Sequence, residues 1–120
     1  MLIKSTTDCA PYTAIDGCRI REVLHPGHDP VPLPYSLAVA EVAPGARTYR
    51  HRLQQAEVYY LLEGRGHMHI AHETRCVSTG DAVYIPAGRE QWIENTGPEP
   101  LRFVALVSPP WSAATDERLE

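Results

Sequence analysis

Apolar and polar residues along this chain alternate over short stretches, and there is almost no helical repeat. Six segments of strand-like composition lie between glycine or proline residues, at 19–24, 35–42, 57–62, 67–71, 82–85 and 101–108. Short strands separated by frequent turn signals predict an all-β sandwich or barrel. The last ten residues, 111–120, are polar, and we expect this tail to fray or to form a short helix.

The length of 120 residues predicts a single domain, residues 1–120. No apolar run reaches the roughly 20 residues that cross a bilayer, and the first residues lack the apolar stretch of a secretory signal. The net charge is −4 and Lys4 is the only lysine. These features argue against nucleic-acid and membrane partners.

The three cysteines, Cys9, Cys18 and Cys76, are odd in number and have neither CxxC nor zinc-finger spacing. They predict no disulfide framework and no structural zinc site. We expect small buried side chains in a reducing, cytoplasmic protein.

Two segments carry histidine, glutamate, proline and glycine at regular intervals. Residues 45–64 read GARTYRHRLQQAEVYYLLEG, and the spaced positions are Gly45, His51, Glu57 and Gly64. Residues 80–95 read GDAVYIPAGREQWIEN, and the spaced positions are Gly80, Pro86, Gly88 and Asn95. Each glycine lies where a predicted strand starts or stops, as expected for tight turns.

These segments resemble the paired motifs of the cupin superfamily. The first family motif is G, five residues, HxH, three or four residues, E, six residues, G; the second is G, five residues, PxG, two residues, H, three residues, N. Eight of the ten fixed positions agree, and the resemblance covers about residues 36–108. It implies a small single-domain double-stranded β-helix, a jelly-roll barrel with short N-terminal strands.

The resemblance also implies a metal site, since cupins of this pattern usually hold a divalent metal with three histidines and one glutamate. Leu53 and Gln91 occupy two of the histidine positions here. Gln55 lies on the same face as His51 and Glu57 if the segment is extended. The candidate metal ligands are therefore His51, Glu57, Gln91 and Gln55. Amide oxygens bind such ions less tightly than imidazole, which predicts weakly bound Mn, Ni, Zn or Fe.

Each candidate also has a simpler interpretation. His51 would then be a packing residue, and Glu57 an exposed strand start, although an unpaired carboxylate beside the apolar run at 58–62 would be costly to bury. Parity predicts that His67 and His69 face outward. His25 could approach the barrel mouth and supply a second imidazole.

Three functional hypotheses remain open. The first is a metal-dependent enzyme of oxygenase or isomerase type acting on an unidentified small molecule. The second is a non-catalytic, metal-free module that binds a small ligand. The third is metal-free acid–base chemistry with His51 as base and a tyrosine as acid, against which no aspartate is visibly placed to orient His51. Tyr59 and Tyr84 are predicted core aromatics, and no catalytic residue is assigned.

A homodimer is expected, because a bare barrel of this size leaves apolar surface and strand edges to cover. The candidate contact segments are residues 19–24 and 104–111.

Overall fold

Eleven strands form two antiparallel sheets in the computed structural model, which describes residues 1–120. They are β1 (Tyr12–Thr13), β2 (Arg19–Leu24), β3 (Ser36–Val42), β4 (His51–Leu53), β5 (Ala56–Glu63), β6 (Arg65–Ile70), β7 (Glu73–Ser78), β8 (Ala82–Ile85), β9 (Gln91–Asn95), β10 (Leu101–Ser108) and β11 (Asp116–Arg118). Two short 3₁₀ turns, Thr6–Asp8 and Ala113–Thr115, are the only helical segments. Neither could span a membrane.

The strands are ordered β1-β2-β3-β10-β5-β8 in the first sheet and β11-β4-β9-β6-β7 in the second. The chain therefore crosses repeatedly from one sheet to the other, as a jelly roll does. The sheets face one another without closing into one continuous ladder. The predicted all-β double-stranded β-helix is confirmed, in an open, sandwich-like form.

The core lies between the sheets and follows from period-two alternation. In β10, Leu101, Phe103, Ala105 and Val107 are buried, while the residues between them are only partly covered. The ring of Phe103 packs on that of Tyr59 with centroids 4.3 Å apart. This apolar layer fills most of the interior and leaves polar side chains at one end.

Six predicted strands are present with small shifts at their ends, and β2, β8 and β10 have the predicted bounds. The prediction missed β1, β4, β7, β9 and β11. Strands β4 and β9 place polar residues inside, which hides the apolar alternation. Strand β7 is an edge strand with only Val77 buried, so its sequence is almost entirely polar.

One other expectation holds in part and two are wrong. The polar tail forms a short 3₁₀ helix at Ala113–Thr115, one of the two expected outcomes, but it does not fray, since β11 pairs with β4 and the Leu119 amide donates to the Arg50 carbonyl at 2.8 Å. Tyr84 is 65% exposed, because β8 is an edge strand and this side chain faces away from the core. The three free cysteines are not all buried: Cys18 is, but Cys76 on β7 is exposed.

Candidate functional site

His51 lies inside the fold on β4, opposite Gln91 of β9 and Arg118 of β11. Its side chain is 5% exposed. The ring Nδ1–H donates to Asp116 Oδ1 at 3.0 Å, because a carboxylate oxygen can only accept. Ring atom Nε2 is buried without a hydrogen-bond partner, and it lies 3.5 Å from Asp16 Oδ2. A hydrogen bond therefore holds Nδ1 of His51 in place, while Nε2 has no hydrogen-bond partner.

Asp116 is held in place by a second contact. The indole N–H of Trp111 donates to Asp116 Oδ2 at 2.9 Å, so both carboxylate oxygens have partners. Pairing of β11 with β4 sets Asp116 opposite Leu53 and brings its side chain beside the imidazole. The C-terminal tail thus supplies the group that fixes the orientation of His51.

Asp16 comes from a turn between β1 and β2. Its Oδ1 accepts from the Cys18 amide at 3.1 Å, and this local bond directs Oδ2 toward His51. Gly17 has a φ of 87°, and a Cβ there would lie 2.8 Å from Tyr49 Cε2. The turn therefore depends on glycine both for its backbone conformation and for its close approach to Tyr49.

Glu57 is 6% exposed and closes the other side of the site. The Gln91 amide Nε2–H donates to Glu57 Oε1 at 3.0 Å, and the Tyr59 hydroxyl donates to Gln91 Oε1 at 3.1 Å. A buried hydrogen-bond chain thus runs from Tyr59 through Gln91 to Glu57. Both ends of the Gln91 amide are occupied by this chain.

A small, partly open cavity of about 40 Å³ lies within this cluster. Its polar wall includes Asp16, His51, Glu57 and Asp116, and Leu53 joins the apolar wall where the family motif has a histidine. A volume of this size accommodates about one water molecule or one ion, and it is too small for an organic substrate.

The electrostatics of the cluster shift both central groups. Burial raises the pKa of Glu57 to about 8, with smaller increases from Asp16 and Asp116, while His51 and the Gln91 amide act to lower it. Burial acts to lower the pKa of His51, but the bond to Asp116 and the charges of the surrounding carboxylates outweigh it and raise the pKa. In the metal-free protein burial therefore favours the protonated, neutral form of Glu57.

The four residues predicted as ligands are not all together. His51 and Glu57 line the same cavity, and Gln91 contacts Glu57. Gln55 lies apart, because the chain bends at residues 54–55 and breaks the alternation on which its placement depended. Its amide donates to Thr115 Oγ1 at 2.7 Å and to the Pro110 carbonyl at 3.3 Å.

His25 also lies outside the cavity lining, with Nε2 2.8 Å from the Trp111 carbonyl oxygen. Sequence reasoning missed Asp16 and Asp116 because both lie outside the two motifs. The one local signal was the Asp16–Gly17 pair, which is typical of a turn. Nothing in the polar tail indicated that Asp116 would be buried.

Comparison with known proteins identifies the class. The family model described as "Cupin domain" matches residues 38–107, and the chain belongs to the cupin family. The uncharacterized protein MJ1618 of Methanocaldococcus jannaschii is 40% identical over 121 residues, covering 99% of this chain and 96% of that protein. The oxalate-binding protein of Thermotoga maritima is 31% identical over 68 residues, covering 56% of each.

A solved structure supports the same fold. The polyketide cyclase RemF of Streptomyces resistomycificus superimposes with a TM-score of 0.81 and 20% sequence identity, covering 100% of this chain and 86% of its own. At this level of identity the likeness concerns the fold alone.

Proposed function

We propose that this cupin binds one divalent cation in the buried cavity, with His51, Glu57 and Asp16 as its protein ligands. The observation that carries the proposal is the unpartnered Nε2 atom of His51, buried 3.5 Å from Asp16 Oδ2 in a cavity that Glu57 also lines. A metal-binding histidine typically donates its other ring N–H to a carboxylate, as His51 does to Asp116. The donor chemistry therefore fits a metal ion.

In this proposal Asp16 takes the place of one missing imidazole. Gln91 acts indirectly, since its amide is occupied by Tyr59 and Glu57 and holds the Glu57 carboxyl in position. One imidazole with two carboxylates is a harder donor set than three imidazoles, which favours Mn²⁺ over softer ions. When bound, such an ion supplies Lewis-acid polarisation of a small oxygen ligand.

The electrostatics bear on what small molecule could bind. Four carboxyl groups and a single imidazole surround the cavity, so an anion such as oxalate would meet repulsion there unless a cation were present. The Thermotoga relative is named as an oxalate-binding protein. For this chain, oxalate binding is therefore a hypothesis that requires a metal ion to be bound first. Access for a small molecule would also require the wall formed by β1 and the following turn to move, because the cavity has room for only about one water molecule.

We expect the metal-stripped protein to bind about one Mn²⁺ per chain in calorimetry. Glu57→Gln and Asp16→Asn keep the side-chain shapes but remove ligand charge, and each should weaken Mn²⁺ binding by roughly 100-fold. Asp116→Asn leaves the ligands in place but loosens the orientation of His51, and should cost about 10- to 100-fold. Gln91→His adds an imidazole and should tighten binding.

His67→Ala serves as the control, since this partly exposed histidine lies on β6 away from the cavity. The metal proposal fails if the Glu57 and Asp16 variants bind Mn²⁺ as the wild type does while circular dichroism shows them folded.

Metal-free acid–base chemistry is the second candidate, and one observation favours it. The sequence shows no aspartate placed to orient His51, but in the structure Asp116 does so. Its role resembles that of the aspartate in a catalytic triad, which orients the histidine base. A neutral Glu57 would be the partner acid. Activity or ligand binding that survives exhaustive chelation but is lost in Asp116→Asn would favour this candidate over the metal site.

We retain the homodimer as a proposal, with a second copy of the chain covering the outer face of the six-stranded sheet. Antiparallel sheets usually present polar side chains to water. This face instead exposes Tyr60, Leu62 and Tyr84, which are 47%, 41% and 65% exposed. Strand β2 is a weaker candidate than its sequence indicated, because it lies between β1 and β3 and turns Ile20 and Glu22 toward the cavity.

Light scattering at tens of micromolar, roughly the range in which weak dimers are seen, should give twice the chain mass. Tyr84→Glu should shift the protein to monomer, since it places a charge on the apolar face. Ile3→Glu is the matched control, as Ile3 is 79% exposed in the N-terminal segment. A monomeric wild type would contradict this proposal.

A further inference from the structure

A second group of metal-binding side chains lies where β2 ends, at the edge of the cavity. Glu22 on β2 and two histidines of the following loop, His25 and His28, bring one ligand atom each to within 4.8 Å of one another. Glu22 Oε1 contacts His28 Nε2 directly. The two imidazole rings stack with centroids 5.0 Å apart.

The tautomer of His25 puts the ring lone pair on Nδ1, where a metal ion would displace the Gly27 N–H. The Gly27 backbone N–H donates to His25 Nδ1 at 2.8 Å, so Nδ1 carries the lone pair. Nε2 therefore bears the proton and donates to the Trp111 carbonyl at 2.8 Å. Metal-binding histidines typically have this arrangement, with the far ring N–H fixed by a carbonyl or carboxylate.

The loop is built independently of any ligand. Asp29 Oδ2 accepts from the His25 amide at 2.9 Å, and the Asp29 amide donates to the His25 carbonyl at 2.9 Å. Lys4 Nζ pairs with Asp29 Oδ1 at 2.9 Å. His28, by contrast, is 55% exposed, so its ring can move without disturbing the core.

We propose that Glu22, His25 and His28 form a second, surface site for a zinc-like divalent ion, in which the two histidines lie outside the cavity lining and Glu22 stands at its edge. Two imidazoles and one carboxylate are three of the four ligands of a tetrahedral zinc site with an open position for water. Bonds of roughly 2.1 Å place ligand atoms about 3.4 Å apart, a spacing that a small rotation of His28 would reach. The ion takes the place of the hydrogen bond between His28 and Glu22 and of the Gly27 N–H on His25.

The two proposed sites have different donor sets, and each donor set favours a different metal ion. The surface site has two imidazoles and one carboxylate, while the cavity has one imidazole and two carboxylates. Imidazole-rich sites favour zinc, and carboxylate-rich sites are comparatively better for manganese. Zinc is accordingly the probe for the surface site.

The experiment is a Zn²⁺ titration of the metal-stripped protein against a chromophoric chelator. His28→Ala and Glu22→Gln should each weaken the surface site by at least tenfold. His72→Ala should bind as the wild type does, since His72 is exposed in the turn after β6 without these neighbours. Glu22→Gln keeps the side-chain shape and guards against a misfolded alanine variant.

Glu57→Gln separates the surface site from the cavity. If Glu57→Gln retains a zinc ion that the further change His28→Ala removes, the surface site exists whether or not the cavity binds metal. If His28→Ala and Glu22→Gln both bind zinc as the wild type does, the surface site is overturned. It is also overturned if His72→Ala loses as much zinc binding as His28→Ala.

Discussion

The metal-free protein is expected to lose stability steadily as the pH rises from about 5 to about 9. Glu57 has a pKa of about 8 in the folded state, while a glutamate in an unfolded chain has a pKa near 4.3. Between these values the folded state holds a proton that the unfolded state has released. Stability from this group is therefore complete at low pH and is lost as the pH rises through the folded pKa.

His51 acts in the same direction, because its pKa is also raised in the folded state. Its contribution is full below the usual histidine pKa of about 6.5 and declines above that value. Asp16 and Asp116 face both groups, and they disfavour ionisation of Glu57 while they favour protonation of His51. Ionising Glu57 inside the folded protein costs on the order of 5 kcal/mol more than ionising a glutamate in the unfolded chain.

Thermal unfolding in the presence of a chelator, measured for wild type and Glu57→Gln, tests this expectation. Glutamine still accepts the hydrogen bond from Gln91 but cannot ionise. The melting temperature of the wild type should fall by roughly 10 °C or more across the pH range, while the variant should fall much less. At alkaline pH the variant should be the more stable protein. Glu99→Gln, at an exposed position, is the control; parallel curves for wild type and Glu57→Gln would contradict the assignment.

The second large effect is expected at Gly66 on β6, an interior strand of the second sheet. Strand β6 lies between β7 and β9, and a Cβ at Gly66 would lie 2.0 Å from the Glu94 carbonyl oxygen and 3.2 Å from Leu101 Cδ2. Neither β6 nor β9 can move away without breaking ladder hydrogen bonds. Gly66→Ala should therefore lower the free energy of unfolding by about 3 kcal/mol or more, as severe overpacking does.

Gly80→Ala is the matched control for Gly66→Ala. Gly80 has a φ of 94° and nothing within 4 Å of an added Cβ, so this variant carries backbone strain without a clash. Its expected cost is about 1 kcal/mol. Urea unfolding of both variants separates the two effects. Equal losses would show that contact with Glu94 does not determine the requirement for glycine at position 66.

The sequence predicts the class of fold well because motif glycines and prolines set the turns and because β10 alternates cleanly. It predicts strand order poorly wherever polar residues face inward. Gln91 and Asn95 in β9 are almost fully buried, and in a period-two pattern they are indistinguishable from exposed residues. Burial of such side chains depends on partners from distant strands, which no local pattern encodes.

The candidate site is predictable only in part for the same reason. His51 and Glu57 belong to a spaced motif, so their shared cavity could be anticipated. Asp116 lies 65 positions from His51 along the chain, and it reaches the site only through the pairing of β11 with β4. Gln55 illustrates the opposite error, since a bend of two residues was enough to remove it from the face on which parity placed it.

The origin of the two aspartates has a consequence for ligand affinity. The ligand Asp16 comes from the N-terminal segment and Asp116, which orients His51, from the C-terminal one, so the complete site exists only in molecules with both ends docked. If some molecules have a detached end, the apparent affinity for the ion falls in proportion to the fraction that remains docked. Conversely, a bound ion stabilises the docked form by the same coupling free energy. The cavity would thus couple the two ends of the chain thermodynamically, although they belong to different sheets.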